Sequence, residues 1–501
     1  MKILWFNRLK TSVVWVFVRY AIVIIGFIRS IIIANILTVN EMGQLALVYL
    51  IIEYATIIIP FGSSNSLNQQ LSKLKSDEKD LRFNDEVSLR IYSTVFWILI
   101  ATFLIFLLSM YLINIYMEDF MNPLIRENSL ILSLIVIFSI IKSLSIVHIR
   151  MWDKWKRIIY SETAHAIIYL SGIYLYLQTG DDISIIFYSL FLSILTSIFI
   201  IRFNIFNYKF FSFFSLKNIW FTGSIGFFLM INLLMETLFW GIDRFFIAIY
   251  LPTEELANFH IVHTYARAVL MYYAAITFLF TPLLYTHFND LNSNRKMLLS
   301  KLKKITLFSE TILVLSAIGS AIIMPYVINF FMPAYANLNS LYYIIIMGLV
   351  LKNLAFFPMG YIVAVGLHKY LPIYSAILII FLIISYSIAY SLFGLTSATS
   401  YSSVAVLCFM FFIILTSIHV IGFSSLKEYL IMIYEIYGKI FIIITLSIIA
   451  VGVNDIFSQI SNVQICILFT LFAYFKDLNN LFWSILPLLK GDKDKFLRLF
   501  Q

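Results

Sequence analysis

The chain has 501 residues, of which 61% are hydrophobic and only 12% charged, with a net charge of +9. Soluble domains average about 25% charged residues, so this composition excludes an ordinary soluble enzyme or binding module. The basic residues are spread through short segments between apolar runs instead of forming one charged face, which removes nucleic acid as a partner.

In chain order, apolar runs predict fourteen membrane-spanning helices near 12–36, 45–66, 91–116, 129–149, 158–178, 184–203, 219–250, 258–286, 305–331, 340–366, 371–393, 399–421, 428–453 and 460–484. A helix needs about 20 apolar residues to cross a bilayer. The runs are continuous, not alternating, so helices and not a barrel are expected. Pro60, Pro325 and Pro358 mark positions for kinks. The basic opening MKILWFNRLKTS leads into a run that lacks a small-residue cleavage site, and we expect it to remain as the first span. Cys408 and Cys466 lie within apolar runs and read as small buried hydrophobes.

Of the 35 lysines and arginines, 27 fall in segments on the side of the N-terminus, and Arg126 alone falls in the opposite loops. The positive-inside rule makes the first side cytoplasmic and places both termini there. The opposite loops are short and carry Glu118, Asp119, Asp181, Asp182, Glu254 and Glu255.

Charge inside a span is costly, at about 2.5–3.5 kcal/mol per residue on insertion scales, and is a functional-site hypothesis by default. Arg19, Arg29, Lys142, Arg244, Arg267 and Lys352 lie within predicted helices, as do Glu53, Glu236, Asp243 and Glu310. Glu236 and Asp243 are seven residues apart and so share a helix face. These four acids are candidates for charge balance or for H+ or Na+ coupling. His260 and His263 are spaced i,i+3 without further ligands, so neither a metal site nor a bound cofactor is expected.

Two stretches align at an offset of 214 residues: IRSIIIANILTVNEMGQ (28–44) with IDRFFIAIYLPTEELAN (242–258). Arg29 falls on Asp243 and Glu41 on Glu255. VHIRMWDK (147–154) aligns with VAVGLHK (363–369) at 215. The agreement points to a duplicated six-helix unit. Six is even, so the repeat is parallel, giving an all-α polytopic membrane protein with two six-helix lobes around a central cavity and two added C-terminal helices. The expected division is 1–211, 212–425 and 426–501.

RSIIIANILTVNEMGQLALVY, WGIDRFFIAIYLPTEELANF, Pro282 and the AVGLHK turn together resemble the O-antigen (lipid-linked oligosaccharide, Wzx-type) flippases of the multidrug/oligosaccharidyl-lipid/polysaccharide exporter superfamily. The resemblance covers nearly the whole chain. It departs at Ala257, where glycine is usual, although Gly43 keeps the glycine in the first half. The family implies transport of undecaprenyl-pyrophosphate-linked oligosaccharide from the cytoplasmic to the periplasmic leaflet of the bacterial inner membrane. It implies membrane lipids as surroundings, and polymerase and chain-length components of the same pathway as partners. Arg19, Arg29, Arg244 and Arg267, with Lys142 and Lys352 behind them, are the expected contacts to the anionic headgroup, because guanidinium pairs well with phosphate. No catalytic group is expected. The alternatives are a lipid II flippase and a membrane polymerase or glycosyltransferase; short periplasmic loops without a catalytic domain weigh against the latter.

Overall fold

A computed structural model describes residues 21–64, 66–67, 70–71, 86–116, 123–151, 155–179, 183–201, 215–270, 295–354, 371–395, 399 and 438. Every regular element among them is helical. In chain order these are α1 (Ala21–Ile36), α2 (Val39–Ile58), α3 (Glu86–Tyr116), α4 (Ser129–Met151), α5 (Trp155–Thr179), α6 (Ser184–Ile201), α7 (Leu216–Tyr250), α8 (253–270), α9 (Arg295–Phe331), α10 (Asn339–Leu354) and α11 (Leu371–Phe393). They correspond to the first eleven predicted spans. The spans at 399–421, 428–453 and 460–484 lie outside the described residues, apart from positions 399 and 438.

Six of these helices are long and apolar enough to cross a membrane over 39–58, 89–113, 129–149, 184–201, 216–235 and 311–331. α5 is 25 residues long but does not join them. Lys156, Arg157, Glu162 and His165 dilute its apolar surface. The chain forms two compact units, one of residues 1–238 with 252–257, the other of 239–251 with 258–501.

In the first unit α2 starts at Val39, six residues before the predicted span, because Thr38 caps it. The Glu41 backbone N–H donates to the Thr38 hydroxyl at 3.3 Å, and the Thr38 backbone N–H donates to the Glu41 carboxylate at 2.8 Å. This reciprocal pair satisfies two of the free donors of a helix start. The predicted span also runs unbroken to 66, whereas α2 ends before Pro60. Phe61 and Gly62 follow with φ of +49° and +67° before helical geometry resumes at Ser63. Glycine is required at 62: a Cβ there would stand 1.9 Å from the Gly226 carbonyl oxygen on α7. Beyond the break Gln70 donates to the Ser66 and Thr222 hydroxyls at 2.9 and 3.4 Å. Leu67 and Leu71 pack with Leu89, Tyr92, Val95 and Phe96 of α3 and Val136, Ile140 and Leu144 of α4.

α5 and α6 meet through small residues. Ser189, Ser193 and Ser197 repeat every four residues on α6; Gly172 sits against Ser189, and Ser161 donates to the Ser197 carbonyl at 3.1 Å. Small side chains let helix backbones approach closely where no hydrophobic effect drives them together.

The same first unit contains a contact between the two turns related by the repeat. The Thr253 hydroxyl donates to the Asn40 side-chain oxygen at 2.7 Å, and a Cβ on Gly43 would stand 2.0 Å from the Thr253 carbonyl oxygen. In the second unit α9 begins at Arg295, ten residues before the predicted span, and runs through Pro325 without ending. The Tyr265 hydroxyl donates to Met332 Sδ at 3.1 Å, and Tyr342 donates to Ser320 at 2.9 Å.

Candidate functional site

Three helices of the first unit converge on Arg29. It projects from α1, and its guanidinium carbon lies 4.3 Å from the centre of the Tyr169 ring of α5. Tyr169 is 2% exposed, and its hydroxyl is hydrogen-bonded to that of Tyr49 on α2. The electrostatic stabilisation of a cation by an aromatic face grows as water is removed, reaching about 2 kcal/mol when desolvated. The Arg29 Nε is buried and has no hydrogen-bond partner among the described residues. Nor does any carboxylate among them form an ion pair with it.

One turn along α5 the character changes. His165 lies 6.4 Å, ring centre to ring centre, from Tyr169, and feels the charges of Lys142, Glu162 and Arg29. Glu162, one turn further, forms an ion pair with Lys142 of α4 at 3.1 Å, both side chains being nearly buried. Glu53 is half-buried on α2, one turn beyond Tyr49 and on the same face. Among the described residues the cluster thus contains one lysine compensated by a carboxylate and one arginine that rests on a ring and forms no ion pair.

The second unit holds the other charged group. Asp243 and Arg244 are adjacent on α7 and both buried, at 8% and 7% exposure. Successive helical residues point about 100° apart and do not face each other. Asp243 lies within electrostatic reach of Tyr386 on α11, whose ring packs on Phe246 at 4.8 Å, and Arg244 within reach of His260 on α8. Arg267 is exposed on α8. Glu236, Glu310 and Lys352 take backbone positions on α7, α9 and α10 respectively. Arg19 lies outside the described residues. Among the described residues no three His, Cys, Asp or Glu side chains gather as metal ligands.

Outside the spans, Glu255 at the start of α8 has its carboxyl raised above the usual range by burial and by the adjacent Glu254. Tyr335, in the 3-10 turn Pro333–Leu338, is pushed up to about 12 by burial.

Residues 9–284, just over half of the sequence, match a family described as polysaccharide biosynthesis protein. The chain belongs to that family. This family member also shares its fold with solved membrane transporters. A structure titled lipid II flippase MurJ, inward closed conformation, aligns over 95% of this chain and 100% of its own, with a TM-score of 0.65 and 14% identity. An inward-facing multidrug resistance MATE family transporter of the MOP superfamily aligns over 82% and 99%, at 0.62 and 12%. The Vibrio cholerae MATE transporter VcmN D35N mutant aligns over 82% and 96%, at 0.60 and 12%. No curated protein matches the sequence. The chain therefore has the all-α fold that these solved membrane transporters share.

Sequence reasoning singled out Arg29 and Lys142 but passed over Tyr49, Tyr169, Glu162 and His165 as parts of one cluster. For Glu162 a signal existed. Lys142 lies ten residues before, and Glu162 eight residues after, the polar segment 152–154 between the fourth and fifth predicted spans, so an antiparallel helix pair brings them to similar depth. Nothing in the sequence distinguishes Tyr49 and Tyr169 from the other tyrosines, of which the chain has 31 in all.

Proposed function

We propose that this protein is a flippase that carries an undecaprenyl-pyrophosphate-linked O-antigen oligosaccharide from the cytoplasmic to the periplasmic leaflet by alternating access, for surface polysaccharide assembly. It is a transporter and not an enzyme. The observation that carries this reading is Arg29, a guanidinium in a membrane-spanning unit that sits over a tyrosine ring and has a buried N–H without a partner among the described residues. Such a group is matched by a phosphoryl oxygen, which accepts paired, charge-assisted hydrogen bonds. The polysaccharide biosynthesis family and the fold shared with a lipid II flippase support the same class of cargo.

In this reading Arg29 meets the headgroup in the first unit, with Lys142 as a second contact when its pairing with Glu162 is exchanged. Arg19, Arg244, Arg267 and Lys352 line the rest of the cationic route. Glu53, Glu236, Asp243 and Glu310 balance charge or couple transport to H+ or Na+. The protein sits in the inner membrane with both termini cytoplasmic. Polymerase and chain-length components then receive the product.

The test is deletion followed by location of the lipid-linked units. Loss of surface O-antigen, with intact units held on the cytoplasmic leaflet, is the expected result. Single units reaching the periplasm without polymerisation would indicate a polymerase and overturn the reading. The match over 95% of the chain to a lipid II flippase favours a second reading, transport of a peptidoglycan precursor. That reading predicts lysis on depletion and accumulation of lipid II, with O-antigen export unaffected.

A further inference from the structure

We infer that Tyr169 and Tyr49 are positioning residues that hold the Arg29 guanidinium with its N–H edge presented to the diphosphate of a polyprenyl lipid. The inference rests on the flippase reading for the identity of the headgroup. Its substance is a division of labour within the guanidinium. The guanidinium sits over the Tyr169 ring, its carbon 4.3 Å from the ring centre. A ring stabilises the charge through its quadrupole and carries no carboxylate oxygen to claim the two-pronged N–H edge. A carboxylate partner would do the opposite. It would take the same two-pronged edge that a phosphoryl group needs and cancel the charge that attracts it. Lys142 shows that alternative about two helical turns along α5 in the same unit, held by Glu162 at 3.1 Å.

The ring itself is immobilised. Tyr169 is 2% exposed, so it has no room to swing, and its hydroxyl is bonded to Tyr49 from α2. Arg29, Tyr49 and Tyr169 thus tie α1, α2 and α5 together at one point. An unrestrained arginine carries substantial rotamer entropy, which binding would have to overcome. The clamp removes that loss before the ligand arrives, which is how preorganised sites gain affinity.

The test measures binding to the purified full-length protein in nanodiscs, using polyprenyl diphosphate incorporated in the bilayer and, separately, inorganic pyrophosphate. Tyr169→Leu removes the ring and should weaken lipid binding about tenfold, within the range of a desolvated cation–π contact. Tyr169→Phe and Tyr49→Phe each remove one shared hydrogen bond and should weaken binding about threefold to tenfold. The double Phe variant should be no weaker than either single one. In an Arg29→Ala background none of these substitutions should change binding further. That loss of effect is a readout that a merely structural role would not produce.

Wild-type affinity in Tyr169→Leu, or equal weakening with and without Arg29, overturns the inference. Should Tyr169→Leu fail to fold, the two Phe variants carry the same comparison. A Tyr169 dependence seen with inorganic pyrophosphate but not with the lipid overturns the lipid assignment. Coupled binding without any leaflet transfer in vesicles sinks the flippase reading and leaves the clamp standing. Transfer that persists in a Tyr169→Leu protein of wild-type affinity does the reverse.

Discussion

The repeat places Arg29 and Asp243 at equivalent positions, and the two halves use that position differently. In the first half it is a cation resting on a tyrosine ring, with a buried N–H that no described residue accepts. In the second half it is an acid followed at once by a base, both more than nine-tenths buried, with Tyr386 and His260 beside them. A lone cation within a span has an unmet demand for an anion. An adjacent acid and base carry no net charge between them, although they do not face each other. On the proposed reading, the anionic headgroup is expected to bind more strongly at Arg29 than at the Asp243–Arg244 pair.

The largest expected effect tests whether the charge balance around Arg29 depends on its neighbours. Removing one partner of a buried ion pair leaves the other uncompensated and costs about 3–5 kcal/mol, whereas replacing both with apolar groups is often neutral. Lys142 and Glu162 are 12% and 18% exposed, close to that limit. Glu162→Gln or Lys142→Met alone should sharply lower the thermal stability of the detergent-solubilised protein. The double variant should recover most of it. Equal losses in all three would show that the pair contributes packing and not charge.

Next comes the comparison itself. Hydrogen bonds to charged groups contribute about 1.5–3 kcal/mol. Arg29→Ala should therefore reduce O-antigen export about tenfold to a hundredfold at unchanged membrane abundance. Arg29→Lys should recover only part, because an ammonium lacks the planar fork. Asp243→Asn leaves the first-half site intact and should have the smaller effect on headgroup binding. A larger loss from Asp243→Asn than from Arg29→Ala would reverse the asymmetry.

The paired turns give a third comparison. The repeat alignment pairs Gly43 with Ala257, and a Cβ on Gly43 would stand 2.0 Å from the Thr253 carbonyl oxygen. Gly43→Ala should destabilise by about 1–3 kcal/mol, the usual cost of overpacking. Ala257 is fully buried but already accommodates a methyl. Gly at 257 should cost less, and thermal unfolding of the two variants side by side would show it. The glycine that the resemblance leads one to expect at 257 is thus needed only where the two turns touch.

Much of this was legible in the sequence. Apolar run length located eleven helices to within a few residues in most cases. The failures share a cause. The break at Pro60–Gly62 was visible as a proline, but the need for glycine comes from Gly226, far along the chain. The partnership of Arg29 with Tyr169 is likewise a contact between distant segments of which local patterns carry no trace, whereas the four-residue spacing of Ser189, Ser193 and Ser197 is visible but does not name its partner on α5. The early start of α2 is different, because Thr38 and Glu41 spell a capping box that apolar counting simply overran.

Those same caps supply the smallest expected effect. Glu41 closes its box on Thr38, whereas the equivalent Glu255 follows Pro252, which offers no side-chain acceptor to complete one. Glu255 is instead partly buried beside Glu254, and both influences raise its carboxyl above the ordinary value. The folded chain then binds this proton more tightly than the unfolded chain does. Stability must fall as pH rises from the unfolded value through the raised folded one, and stay lower above it. Glu255→Gln removes the ionised form and should stabilise the protein slightly at neutral pH, with the benefit vanishing under acid conditions where Glu255 is already protonated. Glu41→Gln should show no such gain, because its carboxylate accepts the Thr38 backbone N–H at 2.8 Å. Melting curves of both variants across pH 4 to 8 would separate them, and a gain at Glu41 with none at Glu255 would mean that capping, not burial, governs both turns.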